Sequence, residues 1–454
     1  MPQTIAFFIE PNLEKSRPRI RYILDFLERH PLAPCDGIRF VLESTTPVGT
    51  AFITYGSASF AHPAGKHIPL EWTLLAVQPP LRVPVYAHPY RNGERVLFAV
   101  SSTEKQQKTT FFNQNTGEFG FDWIATMFFH LSRIEEYNPL LQDLDAIGNM
   151  RSDAQFLPKN ALHTIPVVDQ LVVAIYQALG FTAQSLPTRA SLSHDLDGLQ
   201  LFSDPLRLLR YLGGVGQRNH SIRAWPQIVY DYWKSNIHRQ KDPADTFDWL
   251  LDLWPSGERT LYFGVMNRST YDHFPDLQLP RMLQIRDLAR AKGYRLGLHP
   301  SFNTWDQPTQ WEEEMQLAAA WLDQPIRHTR QHYLHFKFPE TADILENAGI
   351  ESDATLGYRD KIGFRAGTGF PFVLYCFAAE RAYRWVAHPL VIMDVAWQRE
   401  AKSKGMGMLE CWEQFWADNA WNTFISLNIH NTYFYEPQLH GLPLRKMLAA
   451  CVPK

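Results

Sequence analysis

From Arg189 onward, stretches that read as strands alternate with stretches that read as helices, and this alternation limits what the chain can fold into. Residues 191–194, 261–265, 296–298, 326–329, 350–354, 390–395 and 424–429 have the apolar, bounded character of buried strands. Between them lie helical patterns. Residues 247–254 are amphipathic, and Met282, Ile285, Leu288 and Ala289 share one face. Thr309 and Glu312 have capping-box spacing before a helix carrying Trp311, Met315, Ala318 and Leu322. Residues 341–348 read as a helix stopped by Gly349, and 409–416 as the last helix. Repeated strand–helix units imply an α/β architecture with a parallel sheet. With about seven units and no GxGxxG fingerprint, a barrel is favoured over a doubly wound sheet. Function in such a barrel sits at the carboxyl ends of the strands.

The chain of 454 residues is too long for one ordinary domain. Residues 1–185 read as a smaller mixed α+β domain, and 186–454 as the barrel, with a polar, Pro-bearing linker at 183–188. Strands are expected at 5–9, 37–42, 51–55 and 95–100. Helices are expected at 19–28 and at 121–137, the second capped by Asp122. The end of that helix, Leu131-Ser132-Arg133-Ile134-Glu135-Glu136-Tyr137, reads as an exposed terminus with i,i+3 ion pairing. A net charge of −3 without a basic stripe argues against a nucleic-acid partner. Cys35, Cys376, Cys411 and Cys451 make no CxxC pair, which argues against a zinc ribbon or a disulfide framework. The first ten residues lack the basic n-region of a signal peptide, and no stretch is long enough to span a bilayer. The expectation is a cytoplasmic protein, with oligomeric state open.

Chemistry-bearing residues fall where the barrel rule places function. Asp195 and Asp197 end the first strand at i and i+2, on one face. Carboxylates that close stay ionised cheaply only beside a cation; a solvated turn is the ordinary alternative. His299 follows the 296–298 strand, Arg330 and His332 follow 326–329, and Asp353 ends 350–354. Arg365 lies in a Gly-rich loop, Asp394 and Trp397 close the 390–395 strand, and His430 follows the last. Singly, each has a structural explanation, but convergence on one rim points to metal-assisted hydrolysis. Asp and His together suit zinc, and also cobalt, nickel or iron. The metal would polarise a carbonyl, a nearby unligated carboxylate would take a proton from water, and a His opposite would protonate the leaving group.

The order and wording of these stretches, over about residues 186–440, resemble the polysaccharide deacetylase superfamily, carbohydrate esterase family 4, a distorted (β/α)7 barrel. The resemblance implies that Asp195 is the catalytic base and Asp197 a metal ligand, although Leu196 separates what the family keeps adjacent. It implies His299 as the first His of a His-x-x-x-His metal pair, with Asn303 at the second position. That leaves His332, or Asn303 through its amide oxygen, as the third ligand. It implies Arg365 as the residue orienting the base, Asp394 with Trp397 as the fourth motif, and Leu427 with His430 as the fifth, which holds the general acid. Asp394 is the carboxylate that would fix the His430 tautomer. A segment from Leu199 to Ala244 is extra and reads as helices over the rim. The N-terminal half is similar, at residues 131–137, to an uncharacterised domain that precedes such barrels in some bacterial proteins. The implied activity is metal-dependent removal of acetyl groups, N-acetyl before O-acetyl, from a polysaccharide or glycoconjugate, with one divalent ion as cofactor. The alternatives are a silent sugar-binding protein on the same barrel, and a metal-free glycosidase using Asp195 and Asp353 at one of the two carboxyl separations such enzymes need.

Overall fold

The computed structural model describes residues 2–43, 52–70, 75–106, 108–201, 205–219, 222–238, 241–254 and 257–435. Cys451 lies outside them. Strands β1 (Gln3–Ile9), β2 (Ile38–Glu43), β3 (Phe52–Gly56), β4 (Lys66–Pro69), β7 (Phe112–Asn113) and β8 (Glu118–Phe119) form one sheet, in the order β2-β1-β3-β4-β8-β7. Strands β5 (Tyr86–Asn92) and β6 (Arg95–Ser101) form a separate antiparallel hairpin. Helix Trp123–Ser132 is apolar on every side, and accordingly all ten of its residues are buried. Asp122 caps it by accepting from Ala125 N at 2.9 Å.

The second sheet has nine strands: β9 (Arg189–Leu196), β10 (Arg259–Phe263), β11 (Arg295–Leu298), β12 (His328–Thr329), β13 (Ser352–Asp353), β14 (Phe372–Cys376), β15 (Arg381–Ala387), β16 (Ile392–Met393) and β17 (Phe424–Asn428). Their order is β14-β15-β13-β12-β11-β10-β9-β17-β16. All pairings are parallel except β14 with β15. The sequence leads to seven closed strands; the structure shows a curled, open sheet carrying an extra antiparallel edge. One bridge, Gly357 with Leu390, links the run after β13 to the run before β16. β15 alternates buried and exposed side chains, the ordinary signature of a strand.

The two sheets share one continuous apolar core. Tyr22 of the first half packs on Tyr375 of the second, with ring centroids 5.2 Å apart. The segment expected as an exposed helix terminus is buried at this junction: Arg133 is 0% and Glu136 5% exposed. The expected i,i+3 pair does form, Arg133 to Glu136 at 2.5 Å, but Glu136 also receives Arg365 of the second half. A burst of charges reads as surface in sequence because its partner lies 229 positions away. The expected capping box is absent as well. Helix Pro308–Leu322 starts at Pro308, whose fixed φ and missing N–H suit a first turn, and no side chain caps it.

Candidate metal centre

Ladder hydrogen bonds run one residue past each strand and so place the rim side chains. His299 N donates to Phe263 O at 2.8 Å, Arg330 N to Leu298 O at 3.1 Å, and Ile429 N to Ser193 O at 3.1 Å. His299 after β11, Arg330 after β12 and His430 after β17 therefore stand with Asp195 and Asp197 at the carboxyl edge of the sheet. Asp195, Asp197, His299 and His430, together with loops between strands, line a cleft of about 1330 Å³.

Ligand atoms of Asp197, His299 and His332 all lie within 4.8 Å of one another. Each imidazole is oriented from behind. His299 Nδ1 bonds Arg330 O at 2.6 Å, which commits its proton there and leaves Nε2 facing Asp197 Oδ1 at 3.4 Å. His332 Nδ1 bonds Asp272 Oδ1 at 2.8 Å and leaves its other nitrogen for the cluster. Asp197 Oδ1 is buried without a hydrogen-bond partner. Two acceptors facing one another at 3.4 Å call for positive charge between them. That spacing is also close to the roughly 3.4 Å edge of a tetrahedron whose ligands sit about 2.0–2.1 Å from zinc. Burial disfavours charge on His299, but Asp195 and Asp197 outweigh it and raise its pKa. The donor set, its tautomers and the orphaned oxygen fit a divalent ion.

Asp272, which the sequence reading did not single out, anchors this arrangement. Its Oδ1 also accepts from Phe302 N at 2.8 Å, and its Oδ2 from Ser269 N at 2.9 Å. Burial would raise its pKa, and hydrogen bonds from His332, Phe302 N and Ser269 more than offset that. It sits in Tyr271-Asp272-His273-Phe274, a polar and aromatic loop after β10, where the carboxyl-end rule would have found it. Phe274 packs on the His332 ring at 4.8 Å. Gly264 makes this possible, since a Cβ there would sit 2.1 Å from the Phe274 ring.

Asp195 lies beside the cluster. Arg330 Nη1 donates to its Oδ1 at 2.8 Å and Asn428 Nδ2 to its Oδ2 at 2.7 Å. Burial would raise this carboxyl, but Arg330, His299 and His430 hold it below the usual range. Arg330, not Arg365, is therefore the guanidinium on Asp195. Arg365 is turned to Glu136 and to Gly357 O, because the Gly-rich loop that carries it packs against the N-terminal half. Opposite, Asp394 opens helix Asp394–Ser403 and clamps His430, accepting from its backbone N at 2.6 Å and its Nδ1 at 2.8 Å. Burial works against a charged His430, yet Asp394 and the two rim carboxylates lift it to about 10. Its Nε2 lies 3.4 Å from Asp197 Oδ2 and 3.9 Å from Asp195 Oδ2.

Other sequence candidates fall elsewhere. Asn303 is exposed on the short helix Phe302–Asp306 and does not line the cleft. Asp353 is buried beneath the rim, held by Thr329 and by the amide and hydroxyl of Thr355, with burial lifting it to about 6. Trp397 is buried against Trp412.

A model of a family of unknown function, DUF7033, matches residues 11–183. No curated protein matches the chain. Solved structures that match include one described as "Crystal structure of putative polysaccharide deacetylase from Mycobacterium smegmatis". It is 12% identical over 58% of this chain and 84% of that one, with a TM-score of 0.34.

Proposed function

We propose that this chain is a metal-dependent hydrolase that removes acetyl groups, amide-linked before ester-linked, from a polysaccharide or glycoconjugate. The observation that carries the reading is the convergence of Asp197, His299 and His332 beside an ionised Asp195 and an Asp394–His430 couple. The wording of the rim stretches, similar to the polysaccharide deacetylase superfamily, supports it, with the curled sheet taken as a distorted (β/α)7 barrel beginning near residue 186.

A divalent ion held by Asp197, His299 and His332, zinc before cobalt, nickel or iron, would polarise the acetyl carbonyl and acidify a water. Asp195 is the base: Arg330 and Asn428 each hold one of its oxygens and keep it unprotonated, ready to accept the water's proton. His430 is the acid. Asp394 accepts a hydrogen bond from its Nδ1–H, so the Nε2 proton faces the cleft and is available to the departing nitrogen. Amines leave poorly without that proton, so an acid this well held suits an amide. The cleft volume exceeds that of ordinary small-molecule pockets, in keeping with a segment of a sugar chain.

The test is elemental analysis of the purified protein together with acetate release from N-acetylated oligosaccharides. One equivalent of a divalent metal and chelator-sensitive acetate release are expected. Metal-free protein that cannot be loaded, or release unaffected by chelator, defeats the proposal.

A further inference from the structure

Helices Pro205–Asn219 and Trp225–Asn236 lie between β9 and β10 in the chain and pack on each other. Their inner sides carry Leu212 and Ile228, buried around Tyr435, whose hydroxyl donates to Asp231 Oδ2 at 2.5 Å. Their outer sides are apolar too. Trp225, Val229, Trp233 and Ile237 recur at every fourth residue and are 37, 45, 47 and 63% exposed. Leu206 and Leu209 on the first helix are 65 and 64% exposed. An amphipathic helix ordinarily turns such a stripe inward. Of the seventeen exposed large hydrophobic side chains among the described residues, eight lie between Leu206 and Ile237, so this is a patch and not scatter.

The segment that carries the patch is also basic. Among its described side chains, Arg207, Arg210, Arg223, Lys234 and Lys241 stand against Asp231 and Asp242, in a chain of net charge −3. Arg210 is exposed one residue after Leu209, and Lys234 lies over the Tyr230 ring at 5.0 Å.

We propose that this helical pair docks on an anionic lipid surface, lying in the interface with its Trp, Ile and Leu side chains among the headgroups and its basic side chains on the phosphates. Apolar and aromatic groups interleaved with Arg and Lys on short helices are the chemistry of interfacial attachment. No helix among the described residues is long and apolar enough to cross a membrane, so attachment is peripheral. Charge disfavours other occupants. A second copy would set one basic patch against another. Residues 436–454, with Arg445, Lys446 and Lys454 against Glu436, carry the same sign. Arg207, Ser235, Asn236 and Lys241 of this segment also line the cleft, so docking would hold the cleft mouth at the lipid surface.

The test is flotation of the full chain with vesicles of phosphatidylcholine alone or mixed with about half phosphatidylglycerol, a readout independent of catalysis. Co-flotation with the anionic vesicles, at least about tenfold weaker on the neutral ones and reduced by added salt, is expected. Trp233→Ser with Ile237→Ser should abolish flotation while leaving the circular dichroism spectrum and Tm unchanged. Arg210→Glu with Lys234→Glu should remove the preference for anionic vesicles, and it decides the matter if the first variant misfolds. Absence of flotation by the full chain, equal flotation on both vesicles, or variants that float like the parent overturns the proposal. So does light scattering that shows a dimer which the Trp233 and Ile237 variant dissociates.

Discussion

Asp195 and Asp197 lie two positions apart, yet their partners differ. Asp195 has both oxygens taken by Arg330 and Asn428, whereas Asp197 Oδ1 has no hydrogen-bond partner and faces His299 Nε2 at 3.4 Å. The first arrangement suits a held base and the second a ligand. Asp197→Ala and His299→Ala are expected to lose metal on dialysis, as read by elemental analysis; a full equivalent retained by either removes that residue from the centre. Asp195→Asn should keep the metal and lose about 10²–10⁴-fold in kcat. Arg330→Ala should lower kcat with metal retained, because it strips a buried carboxylate of its counter-charge. His430→Ala should cost more on N-acetyl substrates than on activated acetyl esters, whose leaving groups need little protonation. Equal losses on both would make His430 a positioning residue and not the acid.

Between elements, the pair of Glu136 and Arg365 joins the turn after helix Trp123–Ser132 to the Gly-rich loop before β14. Burial would raise Glu136, but Arg365 and Arg133 outweigh it and bring the carboxyl to about 2, against 4.5 for the free group. A depressed folded pKa contributes stability that is present above about 4.5 and lost as pH falls toward about 2. The ceiling is roughly 3 kcal/mol at about 1.4 kcal/mol per pH unit. Glu136→Gln should therefore destabilise at neutral pH, and the gap to the parent in urea denaturation should narrow below about pH 4.5. A gap independent of pH would assign its effect to packing and not to charge. Arg365→Ala, which leaves Glu136 buried with one cation fewer, should cost about 3–5 kcal/mol and leave metal content unchanged.

At the scale of the whole molecule, the two halves share aromatic contacts and one apolar core, with Tyr22 on Tyr375 and Phe128 on Phe377. Val168 N donates across the same junction to Gly367 O at 2.8 Å. The division near residue 185, a proposal from composition, is thus crossed by much of the packing. Calorimetry of the full chain should show one cooperative transition. Two well-separated transitions would mean that the halves are independent folding units.

Local chemistry was legible where physics acts over short distances. Strand–helix alternation follows from periodicities of 2 and 3.6, so the parallel sheet and the carboxyl-end position of Asp195, Asp197, His299, His332 and His430 could be read directly. The Asp122 cap needed only three residues of context. Long-range pairing could not be read. The resemblance assigns Arg365 to Asp195, and only the tertiary structure puts Arg330 within reach and turns Arg365 to Glu136. The Arg133–Glu136 segment carries the charges of a surface, and a tertiary counter-ion makes its burial tolerable. The exposed stripe from Trp225 to Ile237 has the pattern of a core helix; the periodicity determined that one face is apolar, and tertiary packing decided that this face meets solvent.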